Sequence, residues 1–204
     1  MILEACIENY SEAKKAEGAG ATRIELCENL AIGGSTPSYG TIQMCCTDLK
    51  IPIACMIRPR GGDFVYTDQE FDIMKTDIRI CKRLGVKGVV FGLLTNDRKI
   101  DIEKTKELVQ LAQPMQTVFH KAFDELADPF EGLEQLINMG ITRVLTSGTK
   151  ETALEGQDIL RKLIQQAADR ISILVAGRVT HENLTDLQKI IPAKEFHGRK
   201  IVKM

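Results

Sequence analysis

The residues best suited to chemistry recur at alternate positions of short apolar segments. Near the N-terminus Glu4 and Cys6 alternate with alkyl side chains, and Glu25 and Cys27 do so in the next such segment. Because successive side chains of a β-strand point to opposite faces, each pair lies on one face of its strand. Buried carboxylates are costly unless they are paired or used. These segments therefore predict a polar site between neighbouring strands.

Three later segments continue the alternation and add a cation and two imidazoles. The residues concerned are Met56 and Arg58, His120 and Asp124, and Glu195 and His197. An acid, a base and an anion clamp in one pocket would suit acid–base chemistry. An interior histidine is often only a hydrogen-bonded structural residue, so both interpretations stay open. The candidate catalytic residues are Glu4, Glu25, Arg58, His120, Asp124, Glu195 and His197.

Two of the six cysteines share a face with charged residues, and these are Cys6 and Cys27. Neighbouring strands lie about 4.8 Å apart, so two such sulfur atoms can reach one ion. Soft thiolate and thioether ligands favour Cu(I), and Met56 could add a thioether. The alternative is that both thiols fill interior space, which we also expect for the other four cysteines. The candidate metal ligands are Cys6 and Cys27.

Several glycine-containing loops could bind an anion. Arg58 and Arg60 flank the start of a Gly-Gly turn, where they could clamp a carboxylate or phosphate, or equally form ion pairs at the barrel mouth. The small-residue loops at 33–38 and 145–149 enter helices, where free N–H groups attract anions. The candidate anion-binding residues are Arg60, Ser147, Gly148 and Gly177.

Composition excludes several classes of protein. The chain has 204 residues, 44% of them hydrophobic, and a formal net charge of −1. No basic cluster predicts nucleic-acid binding, and no apolar run is long enough to predict a membrane span. The N-terminal acidic residues do not resemble a signal peptide, and the cysteines are read as thiols. We therefore expect one cytoplasmic domain spanning residues 1–204.

Strand-like and helical patterns alternate along the chain at intervals of about 25 residues, which is typical of βα units. The predicted strands are 2–7, 23–27, 52–58, 88–94, 116–122, 143–147, 171–176 and 194–198. The predicted helices are 11–18, 38–49, 68–84, 101–113, 129–139, 153–168 and 181–191. One repeatedly polar strand face favours a closed (β/α)8 barrel over an open sheet, whose central strands are apolar on both faces. The polar residues are expected at the carboxyl ends of the strands.

The pattern lacks a helix after the eighth strand. The outward side chains of the first and last strands would then need other cover, because apolar strand surface is rarely left to water. We therefore expect a homo-oligomer that covers Leu3, Ala5, Ile7 and Phe196.

Taken together, these segments resemble the CutC copper homeostasis family. The matching strings are LEAC (3–6), TRIELC (22–27), GGSTPS (33–38), MIRPRGGDF (56–64), VVFGLL (89–94), FHKAFD (119–124), RVLTSG (143–148) and EFHG (195–198). The resemblance implies a cytosolic barrel protein linked to copper tolerance, with copper(I) bound through cysteines. The sequence departs from the family at Lys121, where arginine is usual, at Arg178 in a turn that is usually glycine-rich, and in the missing last helix.

Two functions remain open on this sequence. One is a copper(I)-binding protein, and the other is an enzyme that acts on a small anionic substrate by acid–base chemistry. A Schiff-base aldolase is disfavoured, because Lys121 has the parity of an outward side chain. A binuclear metallohydrolase is disfavoured too, because no His-x-His pair is present.

Overall fold

The alternating segments form a closed barrel in the computed structural model, which describes residues 1–204. Eight parallel strands pair in chain order and β1 closes on β8. The strands are β1 (Ile2–Ile7), β2 (Arg23–Leu26), β3 (Ile53–Met56), β4 (Gly88–Phe91), β5 (Gln116–Phe119), β6 (Arg143–Thr146), β7 (Ser172–Val175) and β8 (Glu195–Gly198). The helices are α1 (Tyr10–Gly18), α2 (Tyr39–Asp48), α3 (Asp68–Arg83), α4 (Ile102–Ala112), α5 (Pro129–Met139), α6 (Gln157–Ala167) and α7 (Leu184–Ile190). The predicted barrel is confirmed.

Local sequence signals explain where the helices begin and end. Before α5, the Asp128 carboxylate accepts hydrogen bonds from two backbone N–H groups, and proline occupies the first helical position. Gly140, with φ of 80°, ends that helix in the left-handed conformation that glycine tolerates. Thr67 and Glu70 form a reciprocal capping box at the start of α3. None of these helices combines the length and apolar character needed to cross a membrane.

The two faces of each strand serve different layers. Outward side chains pack with the helices in one large apolar cluster, which includes Cys55 of β3 and Cys81 of α3. Inward side chains fill the barrel, where Cys6, Cys27 and Met56 belong to a separate, smaller cluster. The period-two prediction of inward and outward faces therefore holds for these sulfur-bearing residues.

All strands except β1 and β8 are shorter than predicted at their carboxyl ends. Strand β3 ends at Met56 and strand β5 at Phe119, so Arg58 and His120 belong to the loops that follow. Loop residues do not follow the two-residue repeat of a strand. The directions of the Arg58 and His120 side chains are therefore set by their loops.

The apolar surface expected to be exposed beside β8 is covered by the chain itself. No helix follows β8, but Ile201 and Val202 are buried, and Ile7 and Phe196 are 1% and 0% exposed. Ala5 is also buried, and only Leu3 remains half-buried. The prediction that Ala5, Ile7 and Phe196 need a partner subunit to cover them is therefore wrong. The homo-oligomer itself stays a prediction.

Candidate functional site

The barrel interior is polar on one side and apolar on the other. Strands β1, β2 and β8 contribute most of the charged side chains and both thiols of the interior. Apart from Arg143 at the amino-terminal end of β6, β4 to β7 contribute the alkyl side chains of Val90, Val118, Leu145 and Leu174. A buried charge needs a neighbour to offset its desolvation, so charges gather on adjacent strands. The candidate site is therefore confined to the β8–β1–β2 side.

Cys6 and Cys27 form the upper part of this site. The Cys27 sulfur atom lies 3.5 Å from Glu25 Oε2. One candidate ligand atom from each of Cys6, Glu25 and Cys27 lies within 4.8 Å of the other two. The two predicted metal ligands are thus brought together, with the Glu25 carboxyl group beside them.

Met56 lies beside the Cys27 thiol. A Cβ built on Gly34 would lie 3.5 Å from Cys27 Sγ and 3.6 Å from Met56 Cε. Gly34 has φ of 91° and carries no side chain that could separate the two sulfur-bearing residues. The loop after β2 therefore leaves three sulfur side chains in one small region.

Below the thiols, a chain of ion pairs runs through the barrel. His197 Nδ1 lies 2.9 Å from Glu4 Oε1, and its Nε2 lies 3.7 Å from Glu25 Oε2. The Arg23 guanidinium pairs with Glu4 and, at 2.6 Å, with Glu195. Glu195 also accepts a hydrogen bond of 2.8 Å from Arg143 Nε. The thiols and the ion pairs are thus linked through Glu25 and His197.

Protonation in this chain follows from its burial and pairing. Burial opposes ionisation of Glu4, but the hydrogen bond to His197 and the charge of Arg23 lower the pKa of Glu4 to about 2. Burial likewise opposes the imidazolium form of His197. The nearby negative charge of the Glu25 and Cys6 group, with the hydrogen bonds to Cys6 and Glu4, raises the pKa of His197 well above its usual range. Glu4 and His197 are therefore a buried ion pair.

The thiols and Glu25 share the remaining negative charge. The hydrogen bond from Cys27 lowers the pKa of Cys6 well below its usual value, and His197 acts in the same direction against burial. The same hydrogen bond and burial raise the pKa of Cys27. Burial, with the charge on Cys6, raises the pKa of Glu25 well above its usual value. The group thus favours a Cys6 thiolate beside two protonated neighbours.

Glu195 is not where the sequence reasoning placed it. It is the first residue of β8, and its Cα pairs with Ile2 at the start of β1, so it lies at the amino-terminal end of the barrel. Period two assigns a residue to a face but gives no height along the barrel axis. Arg143, the first residue of β6, was missed, although it alternates with inward Leu145. Both residues support the ion-pair chain from below.

Arg58 and Arg60 are held by their own loops. Arg58 donates to the backbone carbonyls of Ile32, Gly34 and Gly62, and no carboxylate pairs with it. Arg58 therefore does not form the ion pair at the barrel mouth that the sequence left open for it. Arg60 pairs with Glu70 and Asp63 and donates to three carbonyls of its loop. Neither guanidinium joins the thiol site.

His120 lies apart from the ion-pair chain. Its Nδ1 accepts the Ala122 N–H at 3.2 Å, while its Nε2 is buried without a partner. The ring packs 4.9 Å from that of Phe64 and covers Gly92, where a side chain would collide with it. Burial and the charge of Arg58 lower its pKa to about 3, so His120 is a neutral packing residue.

The loop after β6 binds an anionic group of the protein itself, the carboxylate of Asp124. The Asp124 carboxylate accepts the backbone N–H groups of Ser147 and Thr149 and the Ser147 hydroxyl. The N–H of Gly148 is donated to Thr146 Oγ1 instead. Asp124, Ser147 and Gly148 therefore build the loop, and their backbone donors are not free for a ligand.

Access to the thiols is through an open cavity of about 1170 Å³ at the mouth of the barrel. Cys6 and His197 lie at its inner wall, together with Gly177 of the predicted anion-binding set. Lys121 also lines this cavity, from a short 3₁₀ helix (Lys121–Glu125) rather than from a strand. Its predicted outward direction is therefore wrong, and no signal in the strand pattern could have corrected it.

Fold and site together define a parallel (β/α)8-barrel protein with a buried thiol and ion-pair site. The CutC family model matches residues 1–202, and the chain belongs to the CutC family. The human copper homeostasis protein cutC homolog is 45% identical over 196 residues, which are 96% of this chain and 72% of that protein. A CutC family protein of Vibrio vulnificus strain CMCP6 is 45% identical over 197 residues, 96% of this chain and 79% of its own.

Solved structures agree with this assignment. The crystal structure of CutC from Streptococcus agalactiae has a TM-score of 0.95 and 38% identity, and the match covers 99% of this chain and 100% of that one. An aldolase has a TM-score of 0.73 at 13% identity over 98% of this chain and 91% of its own. Dihydrodipicolinate synthase from Bacillus anthracis has a TM-score of 0.65 at 9% identity, with 97% and 69% covered. These last two likenesses concern the fold alone.

Proposed function

We propose that this protein acts in cytoplasmic copper homeostasis by binding Cu(I) through Cys6 and Cys27. The observation that carries the proposal is the placement of both thiols within reach of each other and of one ion. Cu(I) prefers thiolate and thioether sulfur, and Met56 offers a third soft ligand beside Cys27. All six cysteines are free thiols, which suits a reducing compartment.

The charge balance of the barrel favours a monovalent ion. Arg23, Arg143 and His197 supply three positive charges, and the two carboxylates bound to them are Glu4 and Glu195. One negative charge is therefore needed on the thiol side. Cu(I) held by two thiolates carries one negative charge, the same as the thiol group without metal. A divalent ion in the same place would need a third anion, the Glu25 carboxylate, to reach the same charge.

Glu25 fits this interpretation as a neutral neighbour. Its pKa is raised by burial, and its Oε1 is buried without a hydrogen-bond partner. A protonated carboxyl group is a poor ligand for a hard cation but can remain beside a sulfur-bound Cu(I). The charged ligand atoms are therefore soft thiolate sulfurs, and the one oxygen ligand is the neutral carboxyl group of Glu25.

X-ray absorption of the protein loaded anaerobically with one equivalent of Cu(I) tests the ligand set. We expect a first shell made only of sulfur, reduced by one sulfur in Met56→Leu if the thioether participates. Cys46→Ser, which changes a half-buried thiol on α2, serves as the control and leaves the spectrum unchanged. A first shell dominated by nitrogen or oxygen would contradict the proposal.

A second function, acid–base catalysis on a small anionic substrate, is favoured by one observation. Glu25, with its raised pKa, lies beside His197, and His197 reaches the open cavity. An acid with a raised pKa next to a cationic imidazole can donate a proton to a bound anion. The catalytic set is smaller than expected from the sequence, because Arg58, His120 and Asp124 have local structural roles.

A thermal-shift screen of carboxylates and phosphates tests this second function. A catalytic site predicts a ligand that raises the melting temperature and whose turnover is lost in Glu25→Gln. Met56→Leu is the control, since it alters the copper ligands and leaves the acid in place. Binding without turnover in the unsubstituted protein would exclude the catalytic proposal while leaving the copper proposal intact.

A further inference from the structure

The cavity above Cys6 is rimmed by cations, although the chain as a whole carries a net charge of −1. Five lysine or arginine residues line it, against the two carboxylates of Glu12 and Glu151. The cationic residues are Lys121, Arg178, Arg199, Lys200 and Lys203. A cleft lined mainly by one sign of charge raises the local concentration of oppositely charged ligands. The cavity therefore suits an anion.

Pairing inside the rim leaves two of these cations free. Lys121 pairs with Asp124, Arg178 with Glu151, and Arg199 with Glu8. Lys200 and Lys203 make no ion pair and are exposed. These two lysines are therefore available to a ligand without loss of an existing contact.

Depth and size restrict what can reach the thiols. Cys6 is 6% exposed and Cys27 is fully buried, so sulfur is accessible only through the cavity floor. A cavity of about 1170 Å³ is of the size that takes small molecules rather than folded domains. A copper donor must therefore be small enough to enter, or must insert an extended segment.

We propose that the cationic cavity binds the Cu(I) complex of an anionic low-molecular-weight thiol, from which copper passes to Cys6 and Cys27. This inference rests on the copper function proposed above. Three properties select this class of ligand: small size, soft sulfur ligation of Cu(I), and negative charge to match Lys200 and Lys203. A bis-thiolate Cu(I) complex is itself anionic, and carboxylates on the carrier add to its charge.

The transfer is a ligand exchange without oxidation or reduction. A Cu–S bond to Cys6 forms as one Cu–S bond to the carrier breaks, and the exchange with Cys27 follows in the same way. Copper remains monovalent throughout. The first carrier ligand leaves as a thiolate in exchange for the Cys6 thiolate, and the second takes up the proton that Cys27 loses, so protons and charge are conserved.

Anaerobic stopped-flow transfer of Cu(I) from two carriers tests the inference. The more highly charged probe is the Cu(I) complex of glutathione, which carries carboxylates, and the less charged probe is the Cu(I) complex of 2-mercaptoethanol, which carries only the negative charge of its bis-thiolate centre. We expect Lys200→Gln/Lys203→Gln to slow transfer from the glutathione complex roughly tenfold at low ionic strength, with the difference shrinking as salt is added. Transfer from the 2-mercaptoethanol complex should slow much less.

A matched control removes the same charge elsewhere. Lys106→Gln/Lys162→Gln changes two exposed lysines on α4 and α6, outside this cavity, and should leave both rates unchanged. Copper uptake whose rate is indifferent to the charge of the carrier or of the rim would overturn this inference alone. Absence of copper uptake from either carrier at equilibrium would overturn the copper function and this inference together.

Discussion

The chain contains two buried pairs of thiols that differ in almost everything except their pairing. Cys6 and Cys27 are neighbours inside the barrel, and Cys55 and Cys81 are neighbours between β3 and α3. The inner pair adjoins His197 and the mouth cavity, whereas the outer pair is enclosed in the apolar layer. The two pairs therefore act as an internal comparison for the same side chain.

In each pair, the hydrogen bond to the partner thiol and burial raise the pKa of one member, which is Cys55 in the outer pair and Cys27 in the inner pair. The other member of the inner pair, Cys6, has a lowered pKa, because the hydrogen bond from Cys27 and the imidazolium of His197 act against burial. What distinguishes the inner pair is a cation beside it and a path to solvent.

The largest expected effect comes from breaking the support of the inner pair. Arg23→Met leaves Glu4 and Glu195 without their shared guanidinium, and we expect a loss of about 3–5 kcal/mol in the free energy of unfolding, the usual scale for a broken buried pair. Urea denaturation measures it. Arg170→Met, which breaks an exposed pair with Glu134, is the control and should change stability little. Equal effects of the two substitutions would remove the buried network as a source of stability.

Serine substitution should distinguish the two thiol pairs directly. Cys55→Ser places a hydroxyl in the apolar layer and is expected to cost about 1–3 kcal/mol. Cys27→Ser should cost less, because Cys27 lies in the polar thiol site with Glu25 Oε2 3.5 Å from its sulfur, whereas Cys55 lies in the apolar layer with only the Met56 carbonyl, at 3.7 Å, as an acceptor. Both values come from the same urea titrations. A larger loss for Cys27→Ser would mean that its interior neighbours do not accept a hydroxyl.

Buried His120 should make the stability of the protein depend on pH, independently of both thiol pairs. Burial holds its folded pKa at about 3, so the unfolded chain takes up a proton below about pH 6.5 that the folded chain does not. Stability should therefore fall by about 1.4 kcal/mol per pH unit below pH 6. In His120→Asn the fall should begin only near the pKa of carboxyl groups. Identical profiles for the two proteins would contradict the low pKa.

The smallest change in stability should come from removing the ionisable carboxyl group of Glu25 beside the inner thiol pair. The folded pKa of Glu25 is raised, so above about pH 4.5 the unfolded carboxyl loses a proton that the folded one keeps. Stability thus falls as pH rises through this window, and Glu25→Gln should stabilise the metal-free protein at pH 7. Destabilisation at pH 7, measured against the unsubstituted protein, would show an ionised Glu25.

The sequence predicted the barrel and the inward direction of several site residues. Alternation placed Glu4, Cys6, Glu25, Cys27 and His197 on inward faces, and the structure brings these five together. The period-two repeat is a property of the strand backbone, so it is readable before any contact is known.

Ion-pair partners and height along the barrel were not readable in this way. Glu195 pairs with Arg23 and Arg143 at the amino-terminal end because of the stagger between strands, which no single segment reveals. Arg58, His120 and Lys121 lie just beyond strands, where loop conformation rather than parity sets direction. A site residue near a strand end therefore needs the loop before it can be assigned.

Competition titration against a Cu(I)-specific chelator tests the assignment of the copper site to Cys6 and Cys27. The proteins compared are Cys6→Ala/Cys27→Ala and its matched counterpart Cys55→Ala/Cys81→Ala, with circular dichroism to check that both are folded. We expect Cys6→Ala/Cys27→Ala to lose tight binding of one Cu(I). Cys55→Ala/Cys81→Ala should bind one Cu(I) with unchanged affinity. Tight binding retained by the inner variant and lost by the outer one would contradict the assignment of the copper site to the barrel interior.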